Sequence, residues 1–552
     1  MNVRKKIEEL ALKRILVLDG AMGAMIQAYR TPSGKALGED DFRGERFRDH
    51  PVPLKGCGEV LCLTGPEVIS GIHDAYLEAG ADIIETCSFN STSVSLSDYG
   101  LGHLAYEISA AAAGIARKAA DKFSGCGKPR FVAGSIGPTA KGASLYPDVN
   151  DPHKRSISWE ELEAAYYDNA RGLLDGGADI LLVETVFDTL NVKAALFAIS
   201  RLLEERNIDV PIMISASVSD GSGRLLAGQS LEAFCVSVLN VSLPGGSTPW
   251  AIGLNCSSGA DKLLPFIRTL SKKVPCLVSA YPNAGLPNRF GCYEEMPEIM
   301  SANIETYFKE GLINIIGGCC GSTPAHIAAV VQKAAIYKPR NIPDISHNNC
   351  FAGFEPLYPA DNTIHIRDTL DAAERKEFLQ LLSEGEYEDA VDTARDMVDN
   401  GAVIINIETD DEKTLSNFLD FALMNPYVAR VPFFINSLCF NTIETGLKRL
   451  QGRGLAGPVN LKDGEEEFLR KVQLIWRYGA AAVVTLADEQ GQSETDDRKI
   501  EIMQRIFQLL QKNGYPNGLG IVIDTEIPIE PEKDNTVCSW IRENCPGVLI
   551  AV

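Results

Sequence analysis

Asp175-Gly176-Gly177-Ala178-Asp179-Ile180-Leu181-Leu182-Val183-Glu184-Thr185 is one of five stretches in the chain built to the same plan. A polar helix end meets a glycine, a small or apolar residue follows, and an apolar run of about five residues comes next. The other copies lie at 78–86, 309–316, 399–408 and 477–484. Glycine enters the left-handed conformation that ends a helix without steric cost. The run after it lacks polar alternation, as a strand buried on both faces should. Amphipathic segments precede each copy, and Thr64-Gly65-Pro66-Glu67 and Ser158-Trp159-Glu160-Glu161 read as helix-start capping boxes. Strands and helices alternating in this way specify parallel α/β architecture.

The first part of the chain carries eight such strands, near 15–18, 82–86, 130–134, 180–184, 212–216, 250–254, 275–279 and 313–317. Eight repeats favour a (β/α)8 barrel over the alternative, an open doubly wound sheet. The domains expected are a barrel over 1–335, a linker over 336–361 rich in Pro and Asn, and a second βα series over 362–552. Strands in the second series are expected near 363–366, 403–407, 432–435, 457–461, 482–486, 520–523 and 548–552. A closed barrel needs one more, so the expectation is two tandem TIM-type barrels, the second incomplete at its C-terminus through truncation or irregular closure.

Composition narrows the function classes. The chain has 552 residues, a formal net charge of −22 and no clustered basic stripe, which speaks against a nucleic-acid partner. No run of 18 apolar residues suggests a membrane span. The N-terminal residues MNVRKKIEELALKRILVLDG lack the apolar core of a signal peptide, and fourteen cysteines in so long a chain do not form a disulfide framework. A cytoplasmic protein with reduced thiols is the expectation.

In a βα barrel the chemistry gathers at the C-terminal ends of the strands. Here those ends read Asp19-Gly20-Ala21-Met22-Gly23, Glu85-Thr86-Cys87-Ser88-Phe89-Asn90, Gly134-Ser135-Ile136-Gly137-Pro138-Thr139, Glu184-Thr185, Ser217-Val218-Ser219-Asp220, Asn255-Cys256, Tyr281-Pro282-Asn283-Ala284-Gly285 and Gly317-Gly318-Cys319-Cys320-Gly321. Cys256, Cys319 and Cys320 end strands 6 and 8, whose tips converge over the mouth. Three thiolates about 2.3 Å from Zn²⁺ leave one tetrahedral position open, the mark of a catalytic site. Such an anionic centre is a weak Lewis acid but keeps a bound thiol deprotonated, which points to S-alkylation of a small thiol. The competing reading is three buried core cysteines. Asp19 either caps a turn or holds an amino group, and a carboxylate such as Glu184 at the mouth calls for a partner. Glu85 reads equally as a salt-bridge partner, Cys87 as a bystander and His326 as an exposed first-turn histidine.

The strand-end motifs Leu18-Asp19-Gly20-Ala21-Met22-Gly23, Glu85-Thr86-Cys87-Ser88-Phe89-Asn90, Gly134-Ser135-Ile136-Gly137-Pro138-Thr139, Gly253-Leu254-Asn255-Cys256 and Gly317-Gly318-Cys319-Cys320-Gly321 together resemble the homocysteine S-methyltransferase family, over about residues 8–335. The whole chain resembles the N-terminal half of the cobalamin-dependent methionine synthases, where a homocysteine barrel precedes a pterin-binding barrel. The resemblance implies that Cys256, Cys319 and Cys320 bind Zn²⁺, with the homocysteine thiolate as fourth ligand and Asn283 in that position when substrate is absent. It implies that Asp19 and Glu184 hold the amino end of homocysteine. Ser88 and backbone groups near Ala21 and Met22 serve its carboxylate. Cys87-Ser88 stands where the family usually has Asn-Thr, with the hydroxyl retained. The implied reaction moves a methyl group from methylcobalamin, on a separate corrinoid domain or protein, to homocysteine. The alternative is a sulfonium or betaine donor, with the second barrel a non-catalytic docking scaffold.

The second region is similar to the pterin barrel at Gly446-Leu447-Lys448, Leu461-Lys462-Asp463-Gly464-Glu465 and Ala487-Asp488-Glu489-Gln490-Gly491-Gln492. Its ligand motifs depart from the family. Ile364-His365-Ile366-Arg367-Asp368-Thr369-Leu370 replaces Asn-Val-Gly-Glu-Arg-Thr-Asn, Asn406-Ile407-Glu408 replaces Asp-x-Asn, Asn436-Ser437 replaces Asp-Ser, and Gly457 replaces Asn. Of the candidate pterin contacts Asn406, Asn436, Asp488, Gln490 and Asp524, the last three are retained. Each Asp-to-Asn change removes a charge-assisted hydrogen bond, worth about 1.5–3 kcal/mol. Weak or absent methyltetrahydrofolate binding is the expectation. Asp151-Pro152-His153 lacks the glycine of a corrinoid Asp-x-His-x-x-Gly signature, so the methyl donor is expected from elsewhere.

Overall fold

The computed structural model describes residues 3–551 other than 126, 149, 220, 245–247, 290, 292, 346–348, 361, 367–371, 516–519, 526–535 and 546. Asp220 and Arg367-Asp368-Thr369-Leu370 lie outside the described residues. Every expected strand forms. In the first domain these are β1 (Leu16–Val17), β2 (Ile83–Glu85), β3 (Phe131–Ile136), β4 (Ile180–Val186), β5 (Ile212–Ala216), β6 (Ala251–Gly259), β7 (Leu277–Asn283) and β8 (Ile315–Ile316). They make one parallel sheet in the order β1-β8-β7-β6-β5-β4-β3-β2, and a parallel bridge from Leu18 to Ile83 joins its two edges into a ring. Gly80, Gly177, Gly311, Gly401 and Gly479, the glycines of the repeated pattern, all have positive φ, from 63° to 106°.

Alternate strand residues fill the ring. Leu16, Ile83, Phe131, Leu182, Met213 and Leu277 meet inside it, and Ile7 and Ala11 of the helix Val3–Lys13 join the cluster at its lower end. The opposite strand faces pack under the surrounding helices. Ser158 caps the helix Trp159–Asp175 with Glu161 completing the box, as expected. The box expected at Thr64 does not form. A short helix, Leu61–Thr64, claims that residue, whose hydroxyl donates to Val60 O, and Gly65 caps Pro66–Glu78 without a side-chain bond.

The stretch expected to be a linker is built into the fold. It carries the antiparallel pair β9 (Phe351–Ala352) and β10 (Pro356–Leu357). Phe351 and Leu357 join the interior of the second barrel, while Cys350 and Ala352 pack on Ala233 and Val236 of the first. The second sheet contains β11 (Thr363–Ile364), β12 (Ile405–Glu408), β13 (Phe433–Asn436), β14 (Leu455–Val459), β15 (Ala481–Thr485), β18 (Ile521–Asp524) and β19 (Leu549–Ala551). A small pair, β16 (Ala487–Asp488) and β17 (Gly491–Gln492), follows β15. The order is β11-β19-β18-β15-β14-β13-β12, all parallel. Seven strands thus form an incomplete barrel. β19 pairs directly with β11, and the sheet is open between β11 and β12 among the described residues.

The two barrels are fastened by buried polar contacts. Lys193, 1% exposed, donates to Leu450 O at 2.8 Å and Gly452 O at 3.0 Å. Asp420, 4% exposed, accepts from Arg155 at 2.6 Å and lies 3.4 Å from both Arg449 and His153. Tyr478 packs its ring, tilted, against Trp159 and Phe197 across the same boundary. Removing one partner of a buried ion network strands the others without compensation, which costs about 3 kcal/mol. Asp420→Ala should lower the urea unfolding midpoint accordingly. Glu160→Ala, which breaks the exposed pair with Lys448, should change stability by less than about 1 kcal/mol.

Candidate active site

The strand ends of the first barrel open on a cavity of about 980 Å³. Two strands are deformed at its wall. Register shifts between Val183 and Val186 on β4, and between Cys256 and Gly259 on β6, mark bulges. Thr185, Cys256 and Ser257 sit at φ of 53°, 56° and 60°. Such conformations cost of order 1–3 kcal/mol each for residues with a Cβ and persist where the surroundings impose them. The bulges bring Glu184, Thr185 and Cys256 to the cavity. On the β8 side, Gly321 has φ 79°, and a Cβ there would meet Tyr293 at 2.2 Å, so only glycine fits.

The three cysteines singled out in the sequence come together. The sulfurs of Cys256, Cys319 and Cys320 lie within 4.8 Å of one another, with Cys256 and Cys320 3.7 Å apart. Two thiolates sharing a tetrahedral zinc at about 2.3 Å would sit about 3.8 Å apart. Hydrogen bonds from Cys256 and Cys319 hold the Cys320 thiol far below its ordinary value, at about 3. Hydrogen bonding of Cys319 with Cys256 and with Cys320, together with burial, pushes the Cys319 thiol up. Asn283, the last residue of β7, is 3% exposed, and its Oδ1 has no hydrogen-bond partner. A crowded thiol cluster fits a zinc ion, with an orphaned amide oxygen on a residue whose neighbours Pro282 and Ala284 pair with the Cys319 and Cys320 backbone, and the partial exposure of all three cysteines speaks against the competing reading of apolar core cysteines.

Carboxyl groups form the second cluster. Asp19 accepts from Glu85 N at 3.1 Å through Oδ2, and its buried Oδ1 has no partner. Ser135 Oγ donates to Glu184 Oε1. Burial pushes Asp19 well above the ordinary carboxyl range and Glu184 up to about 7. Glu85 lines the cavity half-buried and is raised by desolvation and then by Glu184 and Asp19. No ion pair joins a described cation to these three groups.

The remaining expectations have mixed outcomes. Ser88 lines the cavity, but its hydroxyl donates to Ser135 O at 2.7 Å and lies 2.6 Å from Thr86 Oγ1, so its donor is already used. Ala21 N donates to Ser322 Oγ at 3.2 Å. Met22 opens the helix Met22–Ala28, whose first-turn N–H groups lack intrahelical acceptors. Cys87 lines the cavity away from the thiol trio. His326 is not exposed. It is 6% accessible because Nδ1 completes the cap with Thr323 while Nε2 lies 2.8 Å from Glu295 O. Sequence reasoning passed over Asn255 and Tyr281. Asn255 is fully buried, and Tyr281, 1% exposed, lines the cavity with an unpartnered hydroxyl. Their position at strand ends was the available signal.

In the second barrel Asn436 and Asp524 end their strands, while Asn406 lies two residues short of the end of β12 with an unpartnered buried Oδ1. Asp488 is 2% exposed and paired with Arg498, and Gln490 is exposed. One of the two retained carboxylates, Asp488, is therefore paired inside the protein.

A barrel whose strand ends present a thiol trio beside a carboxyl trio has the form of a thiol-directed transferase, and sequence comparison agrees. Residues 16–334 match the homocysteine S-methyltransferase family and residues 370–534 the pterin-binding enzymes. The chain belongs to the homocysteine S-methyltransferase family and is a methyltransferase. Its two domains follow the order of the N-terminal half of methionine synthase. Among solved structures, the metallated homocysteine methyltransferase MmuM from Escherichia coli is 24% identical, spanning 60% of this chain and 100% of that one, with a TM-score of 0.45. The B12-independent methionine synthase from Shewanella sp. W3-18-1, in complex with selenomethionine, is 13% identical over 59% and 97% of the two chains, with a TM-score of 0.32. No helix among the described residues is long and apolar enough to cross a membrane.

The raised Glu184 carboxyl makes a signed prediction. Its proton is bound more tightly in the folded chain than in the unfolded one, whose ordinary value is 4.5. Its stabilising contribution is therefore full below about pH 4.5 and lost as pH rises through about 7. Glu184→Gln should raise the thermal midpoint of the metal-free, substrate-free protein at pH 8 and leave it unchanged near pH 4.

Proposed function

We propose that this chain is a zinc-dependent homocysteine S-methyltransferase of methionine formation, taking its methyl group from methylcobalamin carried by a separate corrinoid domain or protein. The observation that carries this reading is the meeting, in one cavity, of three clustered thiols with Glu85 and Glu184, backed by Asp19. Zinc held by Cys256, Cys319 and Cys320 would offer one open position that keeps a bound thiol deprotonated at neutral pH. Asp19, Glu85 and Glu184 supply the negative charge that receives the substrate's ammonium. The first-turn N–H groups of the helix Met22–Ala28 suit its carboxylate. Anchoring both ends of the amino acid aims its sulfur at the open mouth. Orientation of this kind contributes up to about 7–11 kcal/mol. The sulfur lone pair attacks the methyl carbon in line. The bond from carbon to the donor breaks, its electron pair stays on the donor, and no proton moves in that step.

The second barrel serves in this reading as a docking body, with methyltetrahydrofolate bound weakly or not at all. The pairing of Asp488 with Arg498 supports that role. The twelve described cysteines are all free, which suits a reducing, cytoplasmic setting.

Cys319→Ala should lose both bound zinc and homocysteine-dependent demethylation of methylcobalamin. Full zinc content in that variant, by metal analysis, would refute the ligand assignment. Titration of the whole chain with methyltetrahydrofolate should show no binding in the micromolar range, and micromolar binding would contradict the docking role.

A further inference from the structure

We infer that Asn255 is a positioning residue that ties the zinc centre to the amino-acid-binding wall and tempers the charge on Cys319. The inference rests on the function proposed above and concerns a residue that binds neither substrate nor metal.

Asn255 is fully buried on β6, immediately before Cys256. All four hydrogen-bonding positions of its amide are engaged. Oδ1 accepts from Thr185 N at 3.0 Å and from Ser215 Oγ at 2.7 Å. Nδ2 donates to Thr185 Oγ1 at 2.7 Å and points its other hydrogen at Cys319 Sγ, 4.0 Å away. The orientation is fixed by these partners. Turning the amide over would set its NH2 against the Thr185 N–H, two donors face to face.

The partners lie on three other parts of the site. Thr185 is the φ 53° residue directly after Glu184, in the β4 bulge. Ser215 is on β5, and Cys319 is in the turn after β8. Asn255 itself precedes the two strained residues Cys256 and Ser257. One side chain therefore fixes the backbone that presents the ammonium-binding Glu184, the strand that presents one cysteine, and the sulfur of another. Strain at both bulges is held by a shared anchor, so a shift at either is felt at the other. The contact with Cys319 has a second effect. Three thiolates around a divalent cation carry net negative charge, and an N–H donor on one of them withdraws electron density from it.

The test uses the full chain loaded with Co²⁺ in place of Zn²⁺ and compares wild type with Asn255→Asp and Asn255→Ala. Asn255→Asp keeps the shape and both acceptor bonds, and Thr185 Oγ1 can turn its own proton to the new oxygen. At a pH where the new carboxyl is ionised its contact with Cys319 becomes repulsive, and it adds one negative charge to the mouth. With the donor gone the sulfur electron pair rises in energy, so the thiolate-to-cobalt absorption should move to longer wavelength in both variants. Metal should pass to a competing chelator at least tenfold more readily. Homocysteine, followed by its effect on the same absorption, should bind at least tenfold more weakly. Thr185→Ala, which removes one anchor and leaves Asn255 in place, should shift the band in the same direction by less, and decides the matter if neither Asn255 variant folds. Folded variants with the wild-type band position, metal retention and homocysteine affinity would overturn the inference. A wild-type chain that takes up no metal, or that does not respond to homocysteine, would overturn the proposed function instead.

Discussion

Six acidic groups around one barrel mouth cannot all ionise there unless positive charge enters. Asp19, Glu85 and Glu184 crowd one part of the mouth, and Cys256, Cys319 and Cys320 the other. No described cation pairs with the carboxyl groups, and the thiols have one another for neighbours, Cys256 and Cys320 at hydrogen-bonding distance. Each set repels itself, and burial deepens the cost. A divalent metal relieves the thiols and an ammonium relieves the carboxyls. An amino acid bearing a thiol is the kind of ligand that meets both needs at once, joined by its own carbon chain.

The fold around this mouth is organised to hold the repulsion in place. Strand pairing of the full ring sets the separations, and bulges on β4 and β6 turn single residues toward the cavity at a cost in backbone strain. The lower end of the ring is closed by the N-terminal helix through Ile7 and Ala11. The second barrel meets its seal, Phe351, through the segment that also packs on the first. Together with Lys193 and Asp420 at the boundary, this makes the second barrel a fixed flank of the catalytic one.

Much of this was legible in the sequence. The glycine before each apolar run, as at Gly177, marks a conformation few other residues adopt, so strand positions followed directly. The thiol trio was legible because vicinal cysteines after a strand have few bland explanations. The charge environment was less so. Glu85 reads equally as a salt-bridge partner until the ring brings it under the influence of Glu184 and Asp19. Asn255 looked like a neighbour of Cys256, since its four bonds reach residues 40 to 70 positions away. His326 was misjudged because its exposure depends on Glu295 O, 31 residues distant in the chain. The Pro- and Asn-rich stretch read as a tether because its two-residue strands are too short to show a period.

The central claim is that the open metal position is filled by the sulfur of the substrate. X-ray absorption at the zinc edge of the zinc-loaded chain tests it most directly. The account predicts three sulfur neighbours at about 2.3 Å with one lighter ligand, becoming four sulfurs when homocysteine is added. A sulfur count that does not rise with homocysteine, at concentrations that support turnover, would contradict it.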